Sequence, residues 1–138
     1  MPDPVDGLTP LLEVFDLPAS IAFYSGVLGF ELVSRSDAWC MLRLGAATLM
    51  LNTAYDEDER PQQPEPDRVR GHADTSLYLS TPDCAAVYTH LREKHWPATA
   101  PRATVYQMRE VSTRDPDGFQ IFFISPLDPA PAQPCSGR

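Results

Sequence analysis

The sequence has few cysteines, no long apolar run and no excess of basic residues, and each of these shortages excludes a class of protein. Three cysteines, Cys40, Cys84 and Cys135, occur in a chain of 138 residues, and none belongs to a CxxC pair. An odd and sparse set of this kind predicts reduced thiols rather than a disulfide framework. No stretch approaches the roughly 20 apolar residues of a membrane-spanning helix, so no membrane is expected as a partner.

The charge balance excludes a further class of protein. A formal net charge of −8 leaves no basic surface of the kind that binds nucleic acid. An acidic surface does, however, attract cationic ligands over a distance. The segment Met1–Asp6 lacks a basic stretch followed by an apolar one, so no secretory signal is expected and the protein is predicted to be cytoplasmic.

What the sequence does contain is one pattern that occurs twice. Each copy reads as a strand, a helix and further strands, and the helices align at a constant offset of 64 residues (82 − 18). The pairs that match at this offset are Pro18 and Pro82, Ala22 and Ala86, Tyr24 and Tyr88, and Val27 and Leu91. Proline is tolerated in the first turn of a helix, and the apolar positions that follow recur at helical spacing. The repeat predicts two modules built alike.

The two copies predict an α+β fold in a single domain. Residues 8–52 form the first βαβββ module, whose helix ends at Gly29 because glycine adopts the left-handed cap conformation easily. Residues 71–126 form the second module, with a helix over Cys84–Lys94. The tetrapeptide Asp115–Gly118 is typical of a tight turn and is expected between the last two strands.

Two segments show no such pattern. Residues 53–70 lose all apolar periodicity and contain Pro61, Pro64 and Pro66, which predicts a long, flexible connection between the modules. Residues 127–138 are also proline-rich and are predicted to form a disordered tail.

A set of short segments provides a more specific signal when it is taken in chain order. The segments are Val14–Leu17, Ser20, Phe23–Tyr24, Leu28–Phe30, Met108–Glu110 and Arg114–Gly118. Together they resemble the vicinal oxygen chelate superfamily, which includes glyoxalase I, bleomycin-resistance proteins, extradiol dioxygenases and fosfomycin-resistance enzymes. The resemblance implies two βαβββ modules whose mixed sheets curl into a cup, and it implies a homodimer. Whether the modules pair within one chain or between chains is left open.

The resemblance also implies where a metal would be bound. Enzymes of this superfamily hold a divalent metal with four ligands on the first and last strands of each module. Counted from the matching segments, those positions are Thr9, Leu51, Ser76 and Phe122. Leucine and phenylalanine offer no lone pair, and a neutral hydroxyl is a poor ligand beside imidazole or carboxylate. The usual metal centre is therefore predicted to be absent, no cofactor is expected, and the chain resembles the bleomycin-resistance branch.

The candidate ligand-binding residues lie on the predicted cup strands and the loops beside them. Glu13 and Glu110 would meet an amine or guanidine group of a ligand, or one of them would act as a base. The alternative for these acids is a salt bridge to Arg109 or Arg43. Aromatic side chains would stack on a flat ligand. The full set is Glu13, Trp39, Leu51, Ser76, Tyr78, Tyr106, Met108, Glu110 and Phe122.

The leading hypothesis is a metal-independent protein that binds and sequesters a small molecule, such as an antibiotic-like, cationic aromatic ligand. The rival is a metal-dependent lyase, isomerase or dioxygenase with a displaced metal site built from His72, Asp74 or Glu13. His72 and Asp74 are two residues apart on a predicted strand and so share one of its faces. A third hypothesis is an interaction domain without a ligand. No catalytic residue is assigned, and enzyme activity is left open.

Overall fold

The computed structural model describes residues 4–127, which pack as two compact units. Among the described residues, the first unit contains 4–74 together with 115–119, and the second contains 75–114 and 120–127. Each unit is built on one four-stranded mixed sheet. The predicted α+β fold with two βαβββ modules is therefore confirmed. Residues 128–138, nearly all of the predicted tail, lie outside the described part of the chain.

The first unit follows the order strand, helix and three strands. Its elements are β1 (Leu11–Val14), α1 (Leu17–Ile21), a π-helical continuation of α1 (Ala22–Val27), β2 (Glu31–Arg35), β3 (Trp39–Leu44), β4 (Ala47–Thr53), α2 (Pro66–Gly71) and a 3₁₀ turn (His72–Asp74). The strands lie in the order β1-β4-β3-β2. Strand β1 runs parallel to β4, and the other pairs are antiparallel.

Local signals in the sequence explain where α1 begins and where its continuation ends. The Asp16 carboxylate accepts a hydrogen bond from the Ala19 N–H at 3.1 Å, which satisfies one of the free donors of the first turn. Pro18 lies in that turn, where its missing N–H has no cost. Gly29 follows the helix with a φ of 90°, a conformation that side-chain-bearing residues rarely adopt. The predicted end of this helix is confirmed.

The second unit repeats the same order of elements. Its elements are β5 (Ser76–Ser80), α3 (Cys84–Glu93), β6 (Arg102–Ala103), β7 (Met108–Arg114) and β8 (Gln120–Pro126). The strands lie in the order β5-β8-β7-β6, with β5 parallel to β8. The Asp83 carboxylate caps α3 by accepting from the Ala85 N–H at 3.0 Å. Strand β5 is shorter than the predicted strand, because His72 and Asp74 belong to the 3₁₀ turn instead.

The two helix caps correct the offset of the repeat. Asp16 and Asp83 are 67 positions apart (83 − 16), not 64, so the residue equivalent to Tyr24 is Leu91 rather than Tyr88. Both Tyr24 and Leu91 are buried. The offset of 64, taken from the matching tyrosines and prolines, therefore predicted the correct order of elements but aligned the two helices three residues out of register. An offset of 67 also places Ser76 opposite Thr9 in the alignment, in agreement with the count from the family segments.

The connection between the modules is more structured than its composition predicts. It contains α2, which starts at Pro66 in the position where a helix accepts proline. Arg68 of this helix donates to the backbone oxygen of Glu13 at 2.7 Å and lies 5.8 Å from the centre of the Tyr55 ring. The composition of residues 53–70 did not predict α2, and the flexibility of the connection stays a prediction. The predicted module boundaries stay a prediction. The two units are defined by packing and are not continuous stretches of chain, since residues 115–119 belong to the first unit.

Candidate functional site

Each sheet has one face covered by a helix and one open face, and the open faces are the candidate sites. In the second unit α3 packs on β7 and β8. The side chains on that covered side are fully or nearly buried, and they include Val111, Ile121 and Phe123. Because side chains alternate along a strand, the residues between them face the other way. Most of those residues are half-buried or exposed, whereas Glu110 on the same face is buried.

The open face of the second unit presents a pair of aromatic rings on its edge strand β5 and the adjacent strand β8. Tyr78 on β5 is the direct cross-strand partner of Phe122 on β8. Their rings are stacked at a centroid distance of 4.6 Å with an interplanar angle of 7°. The Tyr78 residue remains 52% exposed, so the pair offers a flat apolar surface to solvent. Ser112 flanks Phe122 on β7, and Ser76 lies two positions before Tyr78 on the same face.

An acidic group lies beside this aromatic pair. Glu110 is two positions from Ser112 on β7 and therefore shares its face. Its carboxylate is almost fully buried, and Arg102 Nη2 lies 3.1 Å from its Oε2. The Tyr106 hydroxyl donates to Oε1 at 3.3 Å. Desolvation, followed by the nearby Glu110 charge, raises the pKa of Tyr106, so its hydroxyl stays protonated and remains a donor at neutral pH.

Six of the nine predicted ligand-binding residues therefore gather in the second unit. Met108 begins β7 and shares the alternation of Glu110, with a half-buried side chain. The loop before it is closed by a hydrogen bond from the Thr104 N–H to the Met108 oxygen at 2.8 Å. The six residues are Ser76, Tyr78, Tyr106, Met108, Glu110 and Phe122. The salt bridge predicted as the alternative for Glu110 does exist, but its partner is Arg102 rather than Arg109 or Arg43.

The first unit presents a second open face with a different character. Asn52 on β4 is the cross-strand partner of both Glu13 and Trp39. The next row contains Met50 with Leu11 and Met41 as its partners. These side chains are half-buried or exposed, and Glu13 and Trp39, both predicted to bind the ligand, lie on the same face. Asn52 and the two methionines of this face were missed by the sequence reasoning.

Leu51 does not lie on that open face. Its direct partners are Leu12 and Cys40, and all three are on the helix-covered side of the sheet. Leu51 has no exposed surface in the described chain. Counting from the segments that resemble the superfamily placed the open-face position at Leu51, one residue away from a residue that does lie on the open face. A shift of one residue along a strand moves a side chain to the opposite face. Met50 and Asn52 occupy the open positions on either side of it.

The donor set does not fit the metal centre of the related enzymes. Of the four family positions, Phe122 is stacked on Tyr78 and Leu51 is in the core. His72, proposed for a displaced site, places its Nδ1 2.6 Å from the backbone oxygen of Asp117, and its ring stacks on Phe119 with a centroid distance of 3.9 Å. Within residues 4–127 no three His, Cys, Asp or Glu side chains are grouped so that they could hold a metal ion.

The Asp-Pro-Asp-Gly turn is a structural element of the first unit. Asp117 accepts from the Phe15 N–H at 2.8 Å and from the Ser20 hydroxyl at 3.3 Å. Asp115 accepts the Tyr24 hydroxyl at 2.7 Å and is 4% exposed. The two buried carboxylates of the turn thus connect it to β1 and to the first helix by hydrogen bonds. These structural contacts account for the Asp-Pro-Asp-Gly sequence without a catalytic role.

Burial makes the turn sensitive to pH. Desolvation raises the pKa of Asp115 to about 6 from an ordinary value of 3.8, despite the hydrogen bond from Tyr24. Since the folded state binds this proton more tightly than the unfolded chain, the contribution of Asp115 to stability falls as pH rises from about 4 to about 6. Burial, and then the charge of Asp115, raises the pKa of the Tyr24 hydroxyl, which therefore remains a donor throughout this range.

The pH dependence of stability is predicted to change when the carboxyl is replaced by a neutral amide. The free energy of unfolding of Asp115→Asn, measured relative to that of the wild type, is expected to rise by on the order of 2 kcal/mol between pH 4 and pH 7. Only the wild type acquires a buried charge over this range. Urea unfolding at several pH values measures the difference. Asp37→Asn, at an exposed turn, is the control and should follow the wild-type curve. Parallel curves for the wild type and Asp115→Asn would contradict the assignment.

Comparisons with known proteins agree with this fold. The model of the Glyoxalase/Bleomycin resistance protein/Dioxygenase superfamily matches residues 9–123. A search of curated protein sequences gave no significant match. In the described residues no helix is long and apolar enough to cross a membrane.

Several solved structures are similar to this chain. TnmS3, an antibiotic binding protein from Streptomyces sp. CB03234, is 21% identical, with a TM-score of 0.68 over 88% of this chain and 97% of that one. A bleomycin-binding protein complexed with bleomycin is 23% identical, with a TM-score of 0.68 over 88% and 98%. A bleomycin resistance determinant encoded on the transposon Tn5 is 23% identical, with a TM-score of 0.67 over 88% and 98%. At this identity the likeness concerns the fold.

Proposed function

The chain belongs to the Glyoxalase/Bleomycin resistance protein/Dioxygenase superfamily, and on that premise we propose that it binds and sequesters a small, flat molecule without the help of a metal ion. The observation that carries the proposal is the stacked pair of Tyr78 and Phe122 on an open sheet face. Aromatic side chains supply large apolar contact areas and prefer stacked or edge-to-face partners. A third ring placed on this pair would extend an existing stack.

The polar groups around the aromatic pair are suited to orienting a bound ligand rather than to catalysing a reaction. Ser76 is exposed and Ser112 is half-buried, and both lie on the face of the stack. Their hydroxyl groups can donate to or accept from polar atoms at the edge of a ligand. A binding site of this type is mostly apolar and contains a few polar groups that fix the orientation of the ligand.

The donor chemistry supports a role that is independent of metal. A Lewis-acid site needs imidazole, carboxylate or thiolate ligands with at least one open coordination position. The family positions provide hydroxyl and hydrocarbon side chains instead, and Leu51 points into the core. Solved relatives that bind an antibiotic or bleomycin support the same class of ligand for this chain. The homodimer and the cytoplasmic location stay predictions.

Removing either ring of the stack is expected to weaken ligand binding about tenfold, which corresponds to about 1.4 kcal/mol of lost contact. Fluorescence titration of Phe122→Ala and Tyr78→Ala with a panel of flat aromatic molecules and bleomycin measures this effect. Tyr88→Ala is the matched control, since Tyr88 lies on α3 beside Arg92 and away from the open sheet face.

Two results would count against the proposal. A panel in which no compound binds the wild type would favour an interaction domain without a ligand. Stoichiometric zinc, nickel, manganese or iron in protein purified without chelators would favour the metal-dependent enzyme, especially if His72→Ala removed the metal.

A further inference from the structure

We propose that Arg102 sets the charge preference of the open face of the second unit, by neutralising Glu110 so that the face favours an uncharged flat ligand over a cationic one. The inference rests on the proposed function and deepens it, since it specifies the class of ligand. It also reverses the expectation from the sequence, in which Glu110 was to contact a positive group of the ligand.

The ion pair is built into the sheet. Arg102 on β6 and Glu110 on β7 are direct cross-strand partners. Both Nε and Nη2 of the guanidinium lie 3.1 Å from Oε2 of the carboxylate. The other oxygen, Oε1, accepts the Tyr106 hydroxyl at 3.3 Å. Both oxygens of Glu110 are therefore engaged before any ligand arrives.

The exposure of the two side chains shows which of them governs the charge seen by a ligand. The side chain of Glu110 is 7% exposed, whereas that of Arg102 is 72% exposed. A carboxylate withdrawn from water to this extent is costly unless a cation pairs with it. A cationic ligand would have to compete with Arg102 for Glu110, while an uncharged ring would stack without disturbing the pair.

The position of the pair relative to the aromatic stack makes the charge relevant to ligand binding. Glu110 is the cross-strand partner of Ile124, two residues beyond Phe122 on β8. Glu110 and Phe122 are therefore diagonal neighbours on one sheet face. Residues in this relation lie about 7–8 Å apart, within reach of long side chains and of a ligand that spans both. Arg109, the adjacent residue on β7, alternates to the opposite face and is not placed to take over this function.

Two flat three-ring fluorophores that differ in charge test the inference. Proflavine is a cation at neutral pH, and acridone is uncharged. We expect Arg102→Gln to raise the affinity for proflavine relative to acridone about tenfold, because an unpaired carboxylate then faces the ligand. Arg102→Lys keeps the positive charge and should keep the wild-type ratio. The double variant Arg102→Gln/Glu110→Gln removes both charges and should cancel most of the shift.

The ratio of the two affinities is compared because the whole chain is acidic and attracts cations in general. Arg70→Gln is the control for the loss of one positive charge, since Arg70 forms an exposed ion pair with Asp67, and it should leave the ratio unchanged. If Arg102→Gln still bound acridone and had the wild-type ratio of the affinities for proflavine and acridone, the role assigned to Arg102 would be overturned. The proposed function would not be affected by that result. Failure of both fluorophores to bind any variant would overturn this inference and the proposed function together.

Discussion

Gly118→Ala is expected to lower the free energy of unfolding by about 3 kcal/mol, or roughly 10 °C in melting temperature. A methyl group on this residue would lie 2.8 Å from the backbone oxygen of Val69 and 2.9 Å from its Cγ1 atom. The oxygen belongs to the α2 backbone and cannot turn aside as a flexible side chain would. Gly118 also has a φ of 87°, which alone costs an L-residue about 1–2 kcal/mol.

A second glycine separates these two causes. Gly29 has a φ of 90°, but nothing lies within 4 Å of the position its Cβ would occupy. Gly29→Ala should therefore show only the conformational cost, and the difference between the variants measures the contact between the turn and α2. Thermal unfolding followed by circular dichroism provides both values. Equal losses in the two variants would show that α2 does not pack on the turn in solution.

The contact between Gly118 and Val69 illustrates why part of the fold was beyond the reach of the sequence. The predicted turn, the helix that ends at Gly29 and the two βαβββ modules all follow from local signals such as caps, turn residues and periodicity. Helix α2 lacks an apolar stripe, and its contacts involve residues 49 positions away, as in the pair of Arg68 and Asp117. No window of the sequence contains that information.

The candidate site was predictable to a similar extent and for similar reasons. The turn at Asp115–Gly118 establishes the register of β8, so Phe122 was placed on the correct face together with Ser76. In β4 the three consecutive residues Leu49, Met50 and Leu51 are all apolar, so no alternation in that run separates Leu51 from Met50. Strand β6 has two residues and gives no strand signal, so Arg102 could not be assigned to Glu110.

The carboxylate of Asp117 presents the second large effect, because it connects three separate parts of the first unit. It is 2% exposed and accepts from the backbone of Phe15, the hydroxyl of Ser20 and, at 3.5 Å, the guanidinium of Arg68. These donors belong to the residue that follows β1, to α1 and to α2. A buried acceptor with three donors is the kind of group whose removal leaves several polar atoms unsatisfied.

Asp117→Ala is accordingly expected to destabilise the protein by about 3–5 kcal/mol, in the range found when one partner of a buried ion pair is removed. Asp117→Asn keeps one acceptor oxygen and should lose about half as much. Asp67→Ala is the matched control, since its ion pair with Arg70 is exposed and should contribute below about 1 kcal/mol. Urea unfolding measures all three variants. If Asp117→Ala were no more destabilising than Asp67→Ala, the carboxylate would not be the group that fastens β1, α1 and α2, and the turn would owe its place to Gly118 and Asp115 alone.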